Sequence, residues 1–188
     1  MKSSTPRDSQ WLPELSSARS AVAVAAAMVA IGLVSRFLPH PPNFSPIGSL
    51  ALFGGAMFAS RRMAVLVPLA AMLISDMFLG FHVAMWATYG CFAASVMLGR
   101  WIRRQPGVMR IATAGLASST LFFVMTNLAV WMKWYDPSLA GLVTCFTAAI
   151  PFFQNTLASD AIFTVAMFGS AALASRPVTQ LRPLAQAV

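Results

Sequence analysis

The chain has 188 residues, 58% of them hydrophobic and only 10% charged. Soluble domains carry roughly a quarter charged residues, so this chain lacks the polar groups to cover a water-facing surface. Its net charge of +8 does not point to nucleic acid, because the arginines are scattered over short segments between apolar runs and form no polar face for backbone contact.

The elements follow in order. Residues 1–17 are polar, contain two prolines and read as a disordered cytoplasmic tail. Ala18 to Leu38 is a first spanning segment. Its only charges sit at its ends, and it has no small-x-small cleavage site, so it is expected to stay uncleaved. Pro39-His40-Pro41-Pro42 forces a turn. Phe44 to Ala59 is short and holds Pro46, Gly48, Gly54 and Gly55, the pattern of an interrupted segment. Met63 to Leu79 contains Pro68, a kink; Val83 to Ile102 and Ile111 to Met132 follow, joined by Arg103-Arg104-Gln105-Pro106-Gly107. Ser138 to Ile150 is apolar but short, and Pro151 is expected to break it from a last span, Phe152 to Ala174. Residues 177–188 form a second tail.

With one crossing per segment, Lys2, Arg7, Arg19, Arg61, Arg62, Arg100, Arg103, Arg104, Arg110, Arg176 and Arg182 share one side, and only Arg36 and Lys133 face the other. Cytoplasmic loops are the arginine-rich ones. The expected fold is therefore an all-α membrane protein. Its domain covers 18–176 and has six transmembrane helices, both termini cytoplasmic, and a short extra helix or loop before the sixth span. The expected location is the bacterial inner membrane, with the lipid bilayer as a partner and no nucleic acid.

Two carboxylates, Asp76 and Asp160, fall inside spans, where an unpaired charge costs several kcal/mol. Both lie toward the side away from the arginine-rich loops, and Arg36 is the candidate counter-ion for Asp76. At the same level lie His40, Asn43, His82, Trp86, Tyr89, Cys91, Asn127, Trp131 and Gln154. With Arg36 and Asp76 they are the candidate ligand-binding set: a polar, aromatic outer cavity above an apolar plug, suited to capturing a small molecule. Cys91 is a candidate soft ligand to the cobalt of a bound cobalamin. Two histidines are too few for a resident metal site, and no intrinsic cofactor is expected. Nucleotide-binding loops and hydrolase signatures are absent from the sequence, so the chain cannot power transport with ATP alone. The expectation is not an enzyme; an enzyme would have to use Asp76 or His82. Ala21, Ala23, Ala25, Ala27 and Ala30 supply small-xxx-small spacings on the first segment, a face that another helix can approach closely.

Asn43-Phe44-Ser45-Pro46, Ser75-Asp76-Met77-Phe78-Leu79-Gly80-Phe81 and Pro151-Phe152-Phe153-Gln154-Asn155-Thr156-Leu157 resemble motifs of bacterial membrane proteins described as S-component-like. The resemblance extends from Arg36 to Gly169 and is to the S components of energy-coupling-factor vitamin transporters. Gln154 stands where such relatives carry arginine. The resemblance implies a membrane subunit that captures a vitamin from outside. It implies either coupling to a membrane subunit with ATPases through the alanine face of the first helix, or action alone, as in the cobalamin-uptake type with a cysteine on cobalt. Cobalamin is the favoured ligand on this view, with another vitamin or precursor as the alternative.

Overall fold

The computed structural model describes Leu15 and residues 17–175; the basic residues Lys2, Arg7, Arg176 and Arg182 and most of both tails lie outside them. Among the described residues the chain is all-helical: α1 (Ala18–Phe37), α2 (Ile47–Met57), α3 (Arg61–Leu79), α4 (Met85–Arg104), α5 (Val108–Trp134) and α6 (Leu139–Ala174). The helix limits follow local chemistry. Ser17, Ser60 and Ser138 cap α1, α3 and α6, their side chains accepting from Ser20, Met63 and Gly141 N–H groups. Helix α1 stops just before Pro39, and α3 ends on Gly80 at φ 94°, a left-handed position that glycine adopts without strain.

Helix α2 is apolar on every side, which marks a buried helix, and it touches all five other helices. The others form an arc around it in the order α1, α3, α4, α5, α6, left open between α1 and α6. Two glycines make the central position possible. A Cβ on Gly55 would overlap the Val96 carbonyl, and a Cβ on Gly99 would overlap the Leu52 carbonyl, so the backbones of α2 and α4 touch directly. The apolar core lies around this crossing, in Leu50, Ala51, Leu52, Ala56, Met72, Val96 and Ile102.

The second segment is shorter than its sequence limits of Phe44 to Ala59. Residues 38–46 form an irregular connector that folds back into the bundle. Pro42 accepts a hydrogen bond from Asn155 Nδ2 at 3.0 Å. Ile47 starts α2 against Gly32, five residues before α1 ends and so about 8 Å inside the bundle. Asn43, at φ 62°, makes the turn, a conformation asparagine tolerates.

Pro151 does not end a helix: Leu139–Ala174 is one element of 36 residues with Pro151 inside it. The short helix or loop expected before the last span is instead its first third. Phe123 of α5 meets Phe146 edge-on at 5.4 Å and stacks on Phe153 at 4.5 Å, clamping both sides of the proline onto one neighbour. Proline removes one helix hydrogen bond, and this packing holds the segments in line across the gap.

Helices α1, α3, α5 and α6 are long and apolar enough to cross a membrane; α4 has the length but is less apolar, and α2 is short. Large apolar side chains stand exposed on the outer faces, among them Ile31, Leu66, Leu73, Met109, Leu116, Ile162 and Val165. Such a surface is consistent with a membrane protein. Antiparallel contacts between α3 and α4, α4 and α5, and α5 and α6 bring Arg61, Arg62, Arg100, Arg103, Arg104 and Arg110 to one end; Arg36 and Lys133 lie toward the other. Replacing Gly99 by valine is expected to cost about 3 kcal/mol or more, because backbone cannot yield to the added carbons. Gly90→Ala, where the space is open, is expected to be neutral or to stabilise by up to about 1 kcal/mol. Thermal melting of the two detergent-solubilised variants checks both.

Candidate functional site

A half-length central helix leaves the other half of the bundle axis unfilled. The result is a cavity of about 450 Å³ at the end opposite the arginine-rich one. This lies within the size range of small-molecule sites. Its floor is the start of α2, at Ile47 and Gly48, with Asp160 beside it. Ser95 and Ser118, 2.6 Å apart, lie level with Asp160, Thr156 stands one turn of α6 above it, Thr88 and Thr126 lie higher on the walls, and Arg36, His40, Asn43, His82 and Asn127 nearer the mouth.

The two acids inside the bundle are satisfied differently. Asp76 is fully buried and forms an ion pair with Arg36 Nη2, while Tyr89 Oη donates to its other oxygen at 2.8 Å. Arg36 Nη1 donates to the Met72 sulfur, a weak acceptor, and Arg36 Nε is buried without a partner among the described residues. Among the described residues the Asp160 side chain is met by hydroxyls alone: Ser119 Oγ donates to Oδ2 at 2.6 Å and Ser49 Oγ to Oδ1 at 3.3 Å. Ser49 Oγ also lies 3.1 Å from Thr164 Oγ1. Gly48 makes room for this carboxylate, since a Cβ there would come within 2.7 Å of Asp160 Oδ1. Asp160 beside the positive N-terminal end of α2 is favourable electrostatically. It also borders a second, almost wholly apolar groove of about 510 Å³ between α5 and α6.

Of the residues singled out from sequence, Arg36, His40, Asn43, His82 and Asn127 line the cavity. The others do not. Asp76 and Tyr89 stand behind Arg36 and hold it. Trp86 and Gln154 are exposed outside the cavity lining. Trp131 donates its indole N–H to the Asp136 carbonyl at 2.9 Å. Cys91 is buried at 3% exposure with its sulfur against the Leu121 carbonyl at 3.7 Å, so it is not placed as a ligand in this cavity. The helical twist explains this: two positions beyond Tyr89, Cys91 faces α5 while Thr88 and Ser95 face the cavity. No group of three or more histidine, cysteine or acidic residues able to hold a metal occurs among the described residues. On α1, Ala25 is buried and Ala21 half-buried, whereas Ala23, Ala27 and Ala30 are exposed on a shared face.

The hydroxyls Thr88, Ser95, Ser118, Thr126 and Thr156 had a signal that single-residue scanning passes over. Thr88 and Ser95 are seven apart on α4, Ser118 and Thr126 eight apart on α5, and Thr156 and Asp160 four apart on α6, each a polar stripe down one face of an apolar helix. Chemically the cavity offers donors and acceptors in quantity, a cation near the mouth and an acid at the floor. Among the described residues it has no paired acid and base: Asp76 is engaged and outside the lining, and His82 lines the cavity without a carboxylate partner.

Breaking the Arg36 pair strands a fully buried charge. Arg36→Ala is expected to cost about 3–5 kcal/mol, and adding Asp76→Asn to return a large part of it. Thermal melting of the single and double variants checks this; an Arg36→Ala protein as stable as the parent would show that the pair carries no stability.

The family of unknown function DUF6580 matches residues 16–181, and the chain belongs to that family. No curated protein and no solved structure matches it.

Proposed function

We propose that this protein is the substrate-capturing subunit of a solute uptake system, an S-component-like integral membrane protein of the bacterial inner membrane. In this reading the chain crosses the bilayer six times, counting the connector with α2 as one crossing. Both termini and the arginine-rich end face the cytoplasm, and the cavity opens outward. One observation carries the proposal. The space left by the short α2 is lined by polar groups interleaved with apolar ones, among them Phe92, Phe122 and Phe152, and is closed toward the arginine-rich end by the apolar α2–α4 crossing, which makes a binding cup rather than a pore.

The lining favours a small ligand that has both hydrogen-bonding groups and an apolar part. Hydroxyls and an asparagine amide supply hydrogen bonds, and the Arg36 side chain, partly exposed on the cavity wall, offers a cation to a ligand oxygen. A corrinoid is too large for about 450 Å³, and Cys91 does not line the space. The smaller vitamin or vitamin-precursor alternative therefore fits better than cobalamin. Energy for release inward has to come from elsewhere, and the exposed face of Ala23, Ala27 and Ala30 suits close approach by a helix of an ATPase-linked membrane subunit.

The test is an untargeted mass-spectrometric search of extracts from protein purified in mild detergent. One small molecule retained near one per chain is expected, and it is expected to be lost from Thr156→Phe, which fills the cup. At a hundredfold excess over its dissociation constant the same compound stabilises the fold by about 2.7 kcal/mol. A cup-filled variant that retains the compound as well as the parent would exclude this cavity as the site.

A further inference from the structure

At the opposite end the arginines form a built surface rather than a scatter. Arg61, Arg100, Arg103 and Arg104 line a concavity of about 560 Å³ together with Met97 and Trp101. Two of them are anchored. Arg103 Nη1 donates to the carbonyls of Ala56 and Met57 at 3.2 and 2.9 Å, and Arg100 Nη1 to those of Phe58 and Ala59 at 3.3 and 3.4 Å. They thus satisfy the carbonyls at the negative end of α2. Arg61 and Arg104 make no hydrogen bond or ion pair among the described residues, and both repel the Arg100 guanidinium, as does Arg103. The described acids, Asp76, Asp136 and Asp160, all lie elsewhere. Four like charges therefore share one hollow without a counter-ion from the described chain.

We infer that this hollow binds the phosphodiester headgroup of an anionic phospholipid. A phosphate oxygen set matches several converging guanidinium groups, which bind it in bidentate fashion. Met97 and Trp101 decide in favour of a lipid over a free phosphate. They are 51% and 39% exposed beside the arginines and give an apolar, interfacial wall for the glycerol and first acyl carbons. Basic pockets at the cytoplasmic ends of membrane helices hold such headgroups. The inference rests on the membrane reading above and is independent of what the cup binds.

The experiment uses the full chain in detergent, with phosphatidylglycerol and phosphatidylcholine as probes and native mass spectrometry and thermal shift as readouts. Discrete phosphatidylglycerol adducts and a rise in melting temperature are expected, with neither from phosphatidylcholine. Each arginine near an anionic surface contributes about fivefold, so R61Q/R104Q is expected to weaken phosphatidylglycerol binding about 30-fold. Those two side chains hold no structural bond among the described residues, so the variant keeps the fold; Arg62→Gln, outside the hollow, is expected to bind as the parent does. Equal binding of the two lipids, or an unaffected double variant, overturns the inference. So does an equal thermal shift from inorganic phosphate at the same concentration, which assigns the hollow to a soluble anion, or arginine-dependent binding of polyglutamate without lipid adducts, which assigns it to an acidic protein. A chain that alkaline carbonate strips from membranes refutes the membrane reading itself, a result separate from any loss of headgroup preference.

Discussion

The length of α2 is the constraint on which the rest of the structure depends. Eleven residues make a rod of about 17 Å, set among helices of about 29 to 54 Å. A helix that short at the centre of an arc cannot fill the axis. Gly55 and Gly99 place it at the arginine end, because only there do two bare backbones meet. The connector of residues 38–46 has to descend to reach it, and the volume above its first turn becomes the cup. Shape at the candidate site thus follows from a packing decision made on its far side.

Charge is distributed to suit that placement. The carbonyl end of α2 receives Arg100 and Arg103, and its amide end lies beside Asp160. The helix is therefore held by opposite charges at its two poles, in the sense its dipole favours. Asp76, farther from α2, has Arg36 and Tyr89 instead. Two acids in one apolar bundle are thus reconciled in two ways: one by a cation, the other by hydroxyls and a helix end. The difference has a consequence for the cup. Arg36 is committed to Asp76 through only one nitrogen and still presents itself to the cavity, while Asp160 closes the floor.

Much of this was legible from residue types. Apolar stretches between arginines outlined the helices to within a few residues except at the start of α6, and the charge asymmetry separated the two ends. The Arg36–Asp76 pair was legible as well, because a carboxylate in an apolar segment needs a cation and few were near. Less legible was everything that depends on which way a helix is turned. Cys91 lies at the right depth but faces α5, and Trp86 and Gln154 face outward; the weak hydroxyls Thr88, Ser95, Ser118, Thr126 and Thr156 line the cup instead. Pro151 read as a break, because the sequence does not show that Phe123 would brace both sides of it.

Composition and spacing were therefore enough for an all-helical chain, the rough limits of its first five helices, the basic end and the need of two acids for partners. These properties depend on solvation, which each segment settles for itself: an apolar run avoids water, and a charge seeks a counter-charge or a polar surface. The position of α2, the existence of the cup and the identity of its walls came from packing. Close approach of Gly55 to Gly99 and the rotation of each helix about its axis are set by contacts between residues on different helices, and no single segment carries that information.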